Sequence, residues 1–186
     1  MNVDKSDVVE RYPLAIRILH WTRAILILGL VFVGWLMMNI LPENDPWQAI
    51  LFPNHKQFGI LVLLLVLVAL LVRRRARIPA LPAGLARWEV LLSHATHRIL
   101  YTLALLVPLM GYAMSSSFTQ SDGVPFFGLM LPELLPKNDK AFAVFEWLHH
   151  VLAYALLFFA VLHILGALKH RFLDRDRDTD VLKRML

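Results

Sequence analysis

The 186-residue chain contains no cysteine. Disulfides, iron–sulfur clusters, thiolate ligation of a haem and covalent haem attachment through Cys-x-x-Cys-His are therefore excluded together. Charge is scarce as well: 18% of residues are Asp, Glu, Lys or Arg, against 58% hydrophobic, and the mean hydropathy is +0.59. The scarcity is uneven. Residues 24–38 carry no charge at all, and apolar residues gather in blocks rather than alternating with polar ones as in a water-soluble domain of this length. Internal repeats and His-x-x-x-His pairs are also missing. What remains is a set of long apolar segments punctuated by eight histidines.

Four segments are long enough to cross the roughly 30 Å of bilayer hydrocarbon, which takes about 20 residues. They fall at about 14–41, 54–72, 88–114 and 141–168. The sequence thus predicts an all-α bundle of four transmembrane helices, one domain over residues 1–186. The connections are the loop LPENDPWQAILFPN, the basic stretch RRRARIPALPAG, whose prolines block helix continuation, and a segment over 115–140 containing Ser, Gly and Pro. Residues 1–13 are polar, and the first apolar stretch is too long for a signal peptide; the expectation is an uncleaved first span. The tail from Lys169, with Asp and Arg alternating over 174–180, reads as solvated.

Four spans bring both termini to one side. Sixteen of the nineteen Lys and Arg fall on that side, in the segment through Arg23, the connection over 73–98 and the tail. Lys56, Lys137 and Lys140 fall on the other. The positive-inside rule then places both termini in the cytoplasm. It also explains the net charge of +5 as a topology determinant facing anionic lipid, so membrane lipid is an expected partner and nucleic acid is not. Trp21, Trp47, Trp88 and Trp147 lie near span ends, where an aromatic belt is expected.

Topology converts position into depth. His55, His149 and His150 fall in an outer layer; His20, His94, His97 and His163 fall in an inner one. In the fourth span His149 and His163 are fourteen residues apart, nearly four helical turns, so they share a face about 21 Å apart along the axis. His170 continues that face, whereas His150 and His163 are nearly opposed. Imidazoles inside hydrocarbon are costly without partners. Two layers, each with histidines on different helices, point to two sites of bis-imidazole ligation. Iron in haem suits two axial imidazoles, while zinc sites want three or four ligands and often thiolates. Depth and phase join His55 to His149 in the outer layer; for the partner of His163 they leave His20, His94 and His97 open. Fourteen residues beyond His20, His55 and His97 stand Gly34, Ala69 and Gly111, small residues at the opposite depth.

The motifs RILHW around His20, HKQFG from His55, HATHRILY followed by Pro108 and Gly111, and EWLHH with His163 and His170 resemble, in this order, the bacterial cytochrome b561 family. The resemblance covers nearly the whole chain. It implies a four-helix protein of the bacterial inner membrane with two haem b groups, His20 and His163 as axial iron ligands of the inner haem, and His55 and His149 of the outer one. It further implies electron transfer between membrane quinone as substrate and a small periplasmic redox partner. In the superoxide oxidase members that partner is superoxide. Arg17, Arg23 and Arg98 are candidates to bind the inner haem propionates, since guanidinium pairs bidentately with carboxylate. His170, His94 and His97 are candidate quinone-site residues, because imidazole titrates near neutral pH. A second reading is a haem-bearing membrane anchor that wires a separate dehydrogenase or hydrogenase to quinone. A third, a haem-free transporter using histidine proton relays, calls for broken helices and repeat symmetry, which the sequence lacks.

Overall fold

Where each helix begins is set by local chemistry. Asp45 accepts the backbone N–H of Trp47 at 2.9 Å and Pro46 occupies the first helical position. Asn138 accepts the N–H groups of Lys140 and Ala141, and the Glu89 carboxylate reaches back to the N–H of Ala86 at 2.9 Å. The computed structural model, which describes residues 11–82, 84–121 and 123–186, accordingly has helices α1 (Leu14–Asn39), α2 (Pro46–Arg75), α3 (Arg87–Ser117) and α4 (Asp139–Phe172). Most of the polar N-terminal segment discussed above, residues 1–10, lies outside those described. The last turns of α2 and α4 carry Arg73, Arg74, Arg75 and Lys169, His170, Arg171, cations that complement the negative helix ends.

All four helices have the length and hydropathy of membrane spans. Their outer faces expose Ile25, Phe32, Leu67, Leu71, Phe158 and Leu165, a surface that water would not tolerate and that hydrocarbon solvates, since each helix satisfies its own backbone. Helix α4 packs along α3, α1 along α2, and α2 against α3, whereas α1 touches α4 little. The core is a small mid-depth cluster of Val62, Val66 and Ala104 with Leu26, Leu30 and Tyr101. Helix α4 adds one buried residue, Leu156, seven residues from both His149 and His163. The apolar core is thus tied at the middle of the bundle.

At the end away from the termini, the 115–140 segment is folded. Strands β1 (Val124–Phe126) and β2 (Leu129–Leu131) pair antiparallel through a two-residue turn, Phe127 at φ 45° and Gly128 at φ 86°. Two positive φ values match the right-handed twist of a hairpin, but a phenylalanine there needs holding. Gln57 on α2 accepts its N–H at 2.8 Å, and its ring stands edge-on to Phe58 at 5.4 Å. Tyr112 donates to the carbonyl of Pro132 at 2.6 Å, which pins the hairpin region to α3 as well.

At the other end the tail is fastened at Asp174, Asp180 and its last residues, which corrects in part the expectation from charge alternation. Asp174 accepts from His170 Nδ1 at 2.7 Å, from Thr179 at 3.0 Å and from Lys169 at 3.0 Å. Lys169 also pairs with Glu89 of α3, Arg171 pairs with Asp180 at 3.2 Å, Arg184 donates to Ala80 O at 2.6 Å, and Trp21 to Met185 O at 2.9 Å. Asp174 and Asp180 bond back to the end of α4, while Arg175, Asp176 and Asp178 are exposed. Hydrogen bonds from His170 and Lys169 hold the Asp174 carboxyl below its ordinary 3.8, at about 2. A depressed carboxyl stabilises the folded tail fully above the unfolded value, and that contribution fades as pH falls through the folded one. We therefore expect a nitroxide on Lys183→Cys, the single thiol in a cysteine-free chain, to be immobile by electron paramagnetic resonance above about pH 4 and to loosen towards pH 2. In Asp174→Ala it should already be mobile at neutral pH.

Candidate functional site: two histidine pairs

Histidines from three helices meet as two pairs. His20 of α1 faces His163 of α4 with ring centres 6.2 Å apart and planes at 69°. His55 of α2 faces His149 of α4 at 6.1 Å and 80°. A metal–imidazole bond is about 2.0–2.1 Å and a ring nitrogen lies about 1.1 Å from the ring centre, so a metal gripped by two opposed imidazoles sets their centres about 6.3 Å apart. Both pairs have that spacing. His97 stands 5.0 Å from His163, too close for a metal between them. Among the described residues no group of three or more His, Cys, Asp or Glu side chains is arranged around a common metal position, so each pair offers two ligands, as an axially ligated haem requires.

Ring orientation is fixed from outside the pairs. His149 Nδ1 donates to the carbonyl of Val107 at 2.9 Å, which leaves Nε2 as the basic nitrogen, the arrangement usual for metal-binding imidazole. Its ring lies in a groove left by Gly111: a Cβ there would stand 3.0 Å from His149 Cε1. Gly34 does the same for His55, at 3.3 Å from its Cε1. The space beside Gly34 and Gly111, two of the small residues at the opposite depth, is thus occupied by imidazole edges. His55 Nδ1 and Arg17 Nε are buried without hydrogen-bond partners, and polar atoms left so call for a further group at the site. These observations fit haem.

The remaining histidines are placed differently. His150 sits beside His149, ring centres 6.0 Å apart. His97 Nδ1 bonds the carbonyl of Ser93 one turn earlier at 2.7 Å, and His94 and His97 are both exposed on α3. His170 lies under the tail, its side chain 13% exposed. Arg23 is buried, with Nε on the carbonyl of Leu19 and the guanidinium over the Tyr101 ring at 5.4 Å. Arg17 is half-buried one turn before His20, and Arg98 is exposed beside His97. At the hairpin end Lys137 pairs with Glu133 at 2.5 Å and holds that carboxyl below its usual range, so its charge is locally offset; Lys56 Nζ reaches the carbonyl of Gly123 at 3.4 Å. Sequence reasoning missed Tyr101, the Val107 carbonyl and Asp174. Only Asp174 had a readable signal, its four-residue spacing from His170.

The chain matches, over residues 11–186, the family model described as prokaryotic cytochrome b561. It is 32% identical over 184 residues to cytochrome b561 homolog 2 of Escherichia coli (strain K12), covering 97% of this chain and 94% of that one. It is 27% identical over 172 residues to the probable superoxide oxidase CybB of Yersinia pestis, covering 90% and 91%. Four apolar helices and a match of this extent identify a multi-pass bacterial membrane protein of electron transfer with b-type haem: the chain belongs to the prokaryotic cytochrome b561 family.

Proposed function

We propose that the protein holds two haem b groups and carries electrons across the bacterial cytoplasmic membrane between a small redox partner outside and quinone. His55 and His149 are the axial ligands of the outer haem, His20 and His163 of the inner one, and both termini face the cytoplasm. The observation that carries this reading is the pair of ring separations, 6.1 and 6.2 Å, at two levels of one helix. Haem ligated by two imidazoles exchanges single electrons and leaves no open axial position.

The residues around the inner pair have matching tasks. Arg17, Arg23 and Arg98 supply positive charge for propionates; Tyr101 holds the Arg23 guanidinium within the bundle. Arg23 is the strongest of the three candidates, because a buried cation needs an anion close by. His94, His97 and His170 line the inner end, where a quinone entering from lipid would meet them. Outside, superoxide is the favoured donor. The relative named a probable superoxide oxidase spans nearly the whole chain. The anchor-subunit reading is weaker, because the hairpin connection is bonded down onto α2 and α3 and offers little that projects.

Purified protein made with ample haem supply should show a b-type spectrum that changes on dithionite reduction, and a colourless preparation would end both readings. In proteoliposomes, superoxide generated outside should reduce quinone without any other protein. Haem that reduces with dithionite but takes no electrons from superoxide would move the choice to the anchor reading.

A further inference from the structure

Arg23 follows His20 by three residues of α1, about 4.5 Å further into the bilayer, and is 9% exposed. Its Nε donates to the carbonyl of Leu19 at 2.9 Å, and its guanidinium stands over the Tyr101 ring at 5.4 Å. That distance makes a cation–π contact, which gains strength where water is excluded. Tyr101 in turn packs against the mid-depth core of Val62, Val66 and Ala104. Among the described residues no carboxylate pairs with Arg23. A buried cation without a counter-ion is costly, and an ionised group at membrane depth marks a functional position by default. The outer pair has no such neighbour. Lys137 is bonded to Glu133, Lys56 reaches the Gly123 carbonyl, and both cations act on the Glu133 carboxylate. Half-buried Glu146 stands three residues before His149. The charges at that end are of mixed sign, whereas the inner pair has a buried, fixed cation beside it.

We propose that Arg23, clamped by Tyr101, sets the order of the two reduction potentials and so makes the inner haem site the electron acceptor of the two. The inference rests on the two-haem reading above. One-electron reduction adds a negative charge at the iron, and a fixed cation in a medium of low dielectric stabilises the reduced form more than the oxidised one. In the transfer between the sites the outer haem is oxidised and the inner one reduced, and no proton or bond changes hands. Tyr101 matters because a long basic side chain otherwise extends towards the headgroups, where water and salt weaken its field. Arginine suits the position, since its planar guanidinium stacks on an aromatic face and is less strongly hydrated than an ammonium. A grip on a propionate alone would show in haem affinity; a tuning charge shows in the potential.

The test is a spectroelectrochemical titration of the haem-loaded protein in lipid nanodiscs, with the inner wave identified as the one missing from His163→Ala. In the wild type the inner wave should lie at the higher potential. Arg23→Gln should lower its reduction equilibrium constant about tenfold, which is 59 mV for a one-electron couple. Coulomb's law gives that order for one unit charge roughly 10 Å away at an effective dielectric of about 20. Haem content should match wild type, and the outer constant should change less than about threefold. Tyr101→Leu keeps the charge but releases it, and should lower the inner constant about threefold; this variant decides the matter where Arg23→Gln does not accumulate. Tyr101→Phe retains the ring and should retain the wild-type potential, and Arg23→Lys should restore part of what Arg23→Gln loses. An inner wave below the outer one in the wild type, or one unmoved by Arg23→Gln or by Tyr101→Leu, overturns the inference alone. So does an equal shift in Tyr101→Leu and Tyr101→Phe. A wild type that holds a single haem overturns the two-haem reading and the inference with it.

Discussion

His149→Ala should be purified with about half the haem of the wild type, and His163→Ala with the other half, distinguishable by their residual spectra. A lost axial imidazole removes one of the two bonds that the protein makes to the iron, and second-shell losses by themselves cost metal affinity about 10- to 100-fold. The two sites are separable because the only buried residue of α4, Leu156, lies between them and the shared core belongs to α1, α2 and α3. Three further variants sharpen the result. His150→Ala should retain both haems, since it is the ring of His149 that faces His55. His20→Ala should lose the inner haem, and His97→Ala should keep it, because 5.0 Å between ring centres is too short for a metal. Haem per chain by pyridine haemochrome decides each case. Loss in His97→Ala with retention in His20→Ala would reassign the inner pair.

That ambiguity illustrates what a sequence can carry. Hydropathy and the 3.6-residue repeat sort histidines by depth and phase, so the two layers were legible from spacing alone. Neither says how close two helices approach, and choosing between His20 and His97 needs a distance of about one ångström's precision. The helix starts show a similar gap. Hydropathy marks where lipid begins, and α2 begins earlier, at Pro46, because Asp45 caps it and Pro46 suits its first position; an apolar window does not register a cap. The hairpin over 124–131 escaped because its turn uses Phe127 at positive φ, a residue that no turn preference favours, held by Gln57 from seventy positions away. The tail was misread for the same reason. Asp174 and Asp180 look solvated until their partners at the end of α4, Lys169, His170 and Arg171, are known.

Glycine substitutions should separate helix stability from the grooves that hold the imidazole rings. Alanine in a helix interior is favoured over glycine by about 1 kcal/mol, so Gly29→Ala, with open space at its Cβ, should stabilise the haem-free protein slightly, while at Gly34 and Gly111 that gain is set against the contact with an imidazole. Their effects on haem should differ. Nothing lies within 4 Å of a Cβ at Gly29, and the nearest atom at Gly34 is His55 Cε1 at 3.3 Å, close enough to need a small shift of a side chain. At Gly111 the Cβ meets His149 Cε1 at 3.0 Å and Nδ1 at 3.1 Å, and the ring cannot retreat without breaking its bond to Val107. Overpacking of this kind costs about 1–3 kcal/mol, so Gly111→Ala should weaken the outer haem about 5- to 150-fold, and Gly111→Val should remove it. Gly29→Ala should retain both haems, with Gly34→Ala intermediate. Titrating haem into the haem-free variants, alongside their thermal unfolding, reads both effects in one preparation. An outer haem that binds Gly111→Val as tightly as wild type would mean that the His149 ring is free to leave the groove, and the 6.1 Å spacing would then lose its place as the observation that defines the site.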